Sequence, residues 1–175
     1  KAEKIKADDD ALELIAASAE GSFRDAESLI DQIASLEEKI SLETVEKILG
    51  RVGFSRTAEM AEFLINNNLE KAMGYLNQIN EAGYNLIQFN KDLIHYLRRV
   101  LALKFSPALE MEFKKEITDA ELQTLKKHSQ MINSPAIEQK IINLIKSLIR
   151  AYTEMRYSPF AIAPLEVAII ENLKK

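Results

Sequence analysis

The chain has 175 residues, 47% hydrophobic and 29% charged, with a formal net charge of −4. This is enough apolar material for one packed core or two smaller ones, and it excludes a disordered chain and one that grips nucleic acid through its overall field. There is no cysteine, so no disulfide framework and no thiolate metal site, which fits a reducing cytoplasm, and no apolar run approaches the roughly 20 residues of a membrane span.

With only 5 Gly and 4 Pro there is little material for β turns, and no alternating apolar–polar run is long enough to argue for a sheet. The expected class is all-α. The acidic triplet Asp8, Asp9 and Asp10 suits a helix start, and Leu12, Ile15, Ala16 and Ala19 form the expected apolar stripe before Gly21 stops the helix. The chain opens on Lys1, without Met and directly on helical sequence, so the expectation is a piece of a longer protein.

The stretch "GSFRDAESLIDQI" starts a second helix. Gly21 breaks what precedes it, Ser22 can cap, and Asp25 can reach back in a near capping box. At about 100° per residue, Phe23, Ala26, Leu29, Ile30 and Ile33 gather on the apolar face, and Arg24, Ser28 and Asp31 on the other. A cation in the first turn opposes the helix dipole. Arg24 therefore serves either an anionic ligand outside the helix or an exposed pairing with Ser28 or Asp31. A third helix runs from a Ser41 cap through Val45, Ile48 and Leu49 to Gly50, completing a three-helix unit over residues 1–50.

A second unit, residues 51–175, follows the boundary at Gly50 to Gly53. Its expected helices run from Ser55 to about Asn66, from Leu69 to Ala82 with Gly83 as terminator, and from about Asn85 to Phe105, where Pro107 prevents continuation. After a poorly patterned connection, Thr118 and Glu121 spell a capping box. Ser134 with Pro135 starts a long helix with Ile137, Ile141, Leu144, Ile145 and Leu148 inside, and Ser158 with Pro159 repeats that start before "PLEVAIIENL". The unit is expected to be a bundle.

Enzyme chemistry finds no support. No G-x-x-x-x-G-K-[ST] loop is present, and no pair of carboxylates sits in a catalytic frame. His95 and His128 lack carboxylates at ligand spacing, so they are expected at the surface or at a boundary, with no metal site. Arg98, Arg99 and Lys104 suit the end of a long helix and could also meet a nucleic acid or an acidic partner. Lys114, Lys115, Lys126 and Lys127 are expected on solvated faces. Tyr75, Tyr84, Phe89 and Tyr96 fit core or interface better than a base-stacking platform.

"ALELIAASAEGSFRDAESLIDQI" followed by "ISLETVEKILG" resembles the lid domain of the bacterial DNA polymerase III gamma/tau clamp-loader family of AAA+ ATPases, with G-S-x-R-D-A as the specific core. "RYSPFAIAPLEVAIIENL" resembles that family's last collar helix, and between the two the likeness is one of helix pattern. The resemblance implies a lid followed by a helical collar through which clamp-loader subunits assemble. It implies that Arg24 is the sensor 2 arginine, reaching the γ-phosphate of ATP held with Mg in the ATPase module, and that Gly21, Ser22 and Asp25 fix the helix start that aims it. It also implies contact, through the full-length subunit, with a sliding clamp and primed DNA, in the cytoplasm and away from membranes. Glu27 departs from the family, which usually carries an apolar residue there. Two alternatives stay open: a helical scaffold or adaptor with no nucleotide role, and the lid and collar of a replication-factor-C-like AAA+ relative.

Overall fold

The computed structural model describes residues 6–19, 22–35, 39–49 and 52–174. Gly21, Gly50 and Arg51 lie outside them, so the expected helix stops at Gly21 and Gly50 do too. The chain divides into two compact units, Lys1–Arg51 and Val52–Lys175. Both are helical.

In the first unit, β1 (Lys6–Ala7) is followed by α1 (Asp9–Ser18), α2 (Phe23–Ala34), β2 (Lys39–Ile40) and α3 (Leu42–Leu49). β1 and β2 form a two-residue parallel ladder, with Lys6 opposite Lys39 and Ala7 opposite Ile40. A pairing this short leaves no alternation in the sequence. Ser41 caps α3 as expected, its Oγ accepting from the Thr44 N–H at 3.2 Å. The core of this unit is Ala11, Ile15, Ile33, Ile40 and Val45, with Leu14, Leu29 and Ile30 half-buried against it.

Two stripe assignments need correction. In α1, Ala11, Ile15 and Ala19 are buried while Leu12 and Ala16 are exposed, so the inward face is turned by about one residue from the expected one. In α2, Phe23 is 93% exposed. The stripe through Ala26, Leu29, Ile30 and Ile33 packs inward, but the first turn overhangs the core, and periodicity cannot tell where a helix outruns its neighbours.

The second unit contains α4 (Phe54–Ile65), α5 (Leu69–Glu81), α6 (Leu86–Phe105), a 3-10 turn (Pro107–Leu109), α7 (Glu110–Phe113), α8 (Asp119–Met131), α9 (Pro135–Met155) and α10 (Ile162–Leu173). α6 is the central helix, packed by α4, α8 and α9, and α10 lies against α9 and α5. Its residues Phe89, Leu93, Tyr96, Leu97 and Val100 are core. The apolar face of α6 is thus spent inside the unit.

The helix boundaries have local causes. Asn68, Asn85, Thr118 and Ser134 cap α5, α6, α8 and α9 with their side chains, and Thr118 with Glu121 completes the expected capping box. α5 ends on Gly83 at φ 80, with the Tyr84 N–H reaching back to the Ile79 carbonyl, the geometry that favours glycine. α4 ends the same way on Asn67 at φ 57, with the Asn68 N–H on the Phe63 carbonyl.

Two features of this unit were not expected. Pro107 opens a 3-10 turn that runs on into the short α7, in what the sequence presents as an unpatterned connection. Ser158 does not cap α10: its Oγ engages the backbone of Phe160, and the helix starts only at Ile162. A Ser-Pro pair can equally open a turn, and here it does.

Candidate functional site

The first turn of α2 is where the sequence sets a cation against the helix dipole. Ser22 has extended backbone dihedrals, and its Oγ accepts from the Asp25 N–H at 3.3 Å while its carbonyl accepts the Ala26 N–H. That fixes the start of the helix. The reverse half of the capping box is missing, because the Ser22 N–H is already given to the Ala19 carbonyl at 2.8 Å. Asp25 instead stays exposed, where a carboxylate complements the helix dipole.

Arg24 is exposed, and no hydrogen bond or ion pair joins it to another described residue. The pairing with Ser28 or Asp31 that the sequence allowed is not made. Glu27 is exposed as well, so it leaves the apolar contacts of α2 intact. Phe23, Arg24 and Glu27 together form an outward surface at the N-terminal end of the helix.

A second cluster lies in the helical bundle, assembled from residues far apart in sequence. His128 is 1% exposed; its Nδ1 lies 2.7 Å from Tyr96 Oη and its Nε2 lies 3.2 Å from Glu62 Oε2. Lys127 donates to the same Glu62 oxygen at 3.0 Å. Its bonds to Lys127 and His128 hold the Glu62 carboxyl below the usual range. An ionised carboxylate can only accept, so Nε2 of His128 carries the proton and Nδ1 accepts from the Tyr96 hydroxyl. Burial pushes the His128 imidazole down, opposed by Glu62, and burial pushes the Tyr96 phenol up. All three groups have a defined protonation state near neutral pH.

This arrangement departs from the sequence expectation for His128, which is a core residue with a carboxylate partner. The partner sits 66 residues away, so no spacing rule could reveal it. A groove of about 330 Å³ runs past the cluster, between Phe54, Ala58 and Glu59 of α4 and Ala120, Glu121 and Thr124 of α8. Among the described residues no group of three or more His, Asp or Glu side chains is arranged to hold a metal ion, and no helix is long and apolar enough to cross a membrane.

Four of the other cations the sequence singles out are engaged. Arg99 pairs with Glu116 and stacks 5.6 Å over the Phe113 ring, and Arg98 reaches His95 at 3.4 Å. Lys126 pairs with Glu110 at 3.1 Å, so neither it nor Lys127 is merely solvated.

Residues 40–174 match the family model for DNA polymerase III subunits gamma and tau, domain III, and residues 1–36 match that for the DNA polymerase III clamp loader subunit, ATPase lid domain. The domain III match begins inside the first compact unit, ahead of the division at residue 51. DNA polymerase III subunit tau of Bacillus subtilis is 30% identical over 171 residues, covering 97% of this chain and 29% of that protein. The gamma/tau subunit of Mycoplasma genitalium is 27% identical over 185 residues, covering 99% of this chain and 30% of its own length. The chain thus spans less than a third of either relative. Among solved structures, the DNA clamp loader delta protein of Bacillus subtilis superposes with a TM-score of 0.58 at 14% identity, over 99% of this chain and 53% of that one, a likeness of fold.

Proposed function

The chain belongs to the family of DNA polymerase III subunits gamma and tau, and from that membership we propose that it couples the nucleotide state of a clamp-loader ATPase to the assembly of the loader. The observation that carries this reading is Arg24. It stands in the matched lid region, on a helix start fixed by the Ser22 cap, exposed and with no partner among the described residues. A guanidinium stays charged at every physiological pH and offers forked donors that suit phosphate oxygens. In this reading ATP and Mg are held by the ATPase module of the full-length subunit, and Arg24 reaches the γ-phosphate from the lid. These residues supply a sensor and carry out no hydrolysis themselves.

The bundle would serve as the collar. α10 turns Leu165, Ala168, Ile169 and Leu173 inward, yet Val167 and Ile170 on its outer face are exposed, as are Tyr157 and Phe160 just before it. Such an apolar face on the terminal helix suits packing against other clamp-loader subunits. The central α6, whose apolar side is filled by the core, is the poorer choice. Through the full-length subunit the assembly would act on a sliding clamp and primed DNA in the cytoplasm.

The test is ATP turnover and clamp loading by the full-length subunit, reconstituted with its loader partners, clamp and primed DNA, comparing native Arg24 with Arg24→Ala and Arg24→Lys. A large loss for Arg24→Ala with assembly intact by gel filtration supports the sensor, and Lys should recover only part of it. Unchanged turnover and loading would return Arg24 to an ordinary surface residue and favour a scaffold without a nucleotide role.

A further inference from the structure

A phenylalanine left almost wholly in water is the least expected exposure in the first unit. Phe23 is 93% exposed while every other apolar residue of α2 is at least half-buried. It occupies the first helical position, directly before Arg24. Adjacent Cα atoms lie about 3.8 Å apart, and helical side chains lean towards the N-terminal end, so the ring and the guanidinium both overhang the open end of the helix. A surface that presents an anion to Arg24 therefore comes within reach of Phe23.

We propose that Phe23 is the apolar half of a two-point latch that seats the first turn of α2 on the ATPase module, beside the phosphate contact of Arg24; the proposal rests on the sensor reading above. The occupant is that module and no other surface. Phe23 and Arg24 both fall within the region matched as an ATPase lid, and some seven-tenths of the length of the Bacillus subtilis relative lies outside this chain. The two side chains divide the work. Arg24 responds to the charge of the nucleotide, whereas the ring adds contact area that does not depend on a phosphate, so the lid keeps its register when the nucleotide changes.

The experiment uses the full-length subunit in its reconstituted loader, with Phe23→Ala, Phe23→Leu and Arg24→Ala measured side by side for the KM for ATP, kcat and thermal midpoint. Phe23→Ala is expected to raise the KM for ATP or lower turnover about tenfold, and Phe23→Leu to recover to within about threefold. Because the ring makes so little contact within its own unit, the thermal midpoint of that unit should not move. If Phe23→Ala behaves as native while Arg24→Ala is impaired, the latch is overturned and the sensor reading stands. If both behave as native, the sensor reading fails and takes the latch with it. A Phe23→Ala variant altered only in self-association would make a second copy the occupant and would also overturn the proposal.

Discussion

Lys140 of α9 closes the end of α4, its ammonium donating to the Leu64 carbonyl at 3.0 Å. The same group reaches the Ile65 carbonyl and Asn67 Oδ1, so one cation joins the Asn67 N–H on the Leu64 carbonyl and serves the other acceptors of a helix end held in a left-handed turn. Lys140→Met keeps most of the stem but removes the charged donor from all three acceptors, and should cost about 1–3 kcal/mol by urea unfolding.

The Tyr96–His128–Glu62 cluster makes stability fall with acid, in two windows. His128 has a depressed folded pKa, so below about 6.5 the unfolded chain takes up a proton that the folded chain resists, and stability drops as pH falls. Glu62, also depressed, contributes stability that is present above about 4.5 and lost as pH falls through its folded value. A thermal midpoint followed from pH 8 to pH 5 should decline from the first window onward. His128→Phe should flatten that decline, and an undiminished slope in the variant would refute the assignment to His128.

Asn90 is fully buried in α6, with its Nδ2 donating to the Leu148 carbonyl at 3.0 Å and no partner for its Oδ1 among the described residues. Asn90→Leu removes an unsatisfied acceptor along with the donor and should lie within about 1 kcal/mol of the native protein. Asn90→Asp removes the donor and sets a carboxylate against a carbonyl, and should cost more than about 3 kcal/mol. Denaturant unfolding of both variants gives the comparison, and equal losses would show that the amide is not what matters there.

On the outer face of α10, Val167→Glu with Ile170→Glu should weaken assembly with other loader subunits without loss of helix content, because neither side chain is buried in its own unit. Sedimentation and circular dichroism on the same samples would separate an interface effect from a folding one.

Much of the helical order was legible because its signals are local. The Thr118–Glu121 box, the Ser134–Pro135 start and the Gly83 stop each act within a few residues, and each is found where the sequence puts it. What was not legible depends on distance. Phe23 fits the α2 stripe by angle, but exposure depends on whether a neighbouring helix extends that far. Lys140 lies 76 residues from Leu64, and His128 lies 66 from Glu62, so the expectation of His128 at the surface or a boundary, and the silence of the sequence on Lys140, had no local counter-signal. In the candidate site, Arg24 and its Ser22 cap could be read from the motif, whereas the freedom of Arg24 from Ser28 and Asp31 required coordinates.

The short ladder between β1 and β2 adds few hydrogen bonds, but it decides how the first unit takes a load. Ile40, paired with Ala7, is buried in the core, the Asp8 N–H donates to the Ile40 carbonyl at 3.0 Å, and Lys39 grips the Asp8 carboxylate at 2.7 Å. Tension arriving along the backbone at Lys6 thus runs parallel to the ladder and strains its links together, in shear, before it can peel α1 from its N-terminal end.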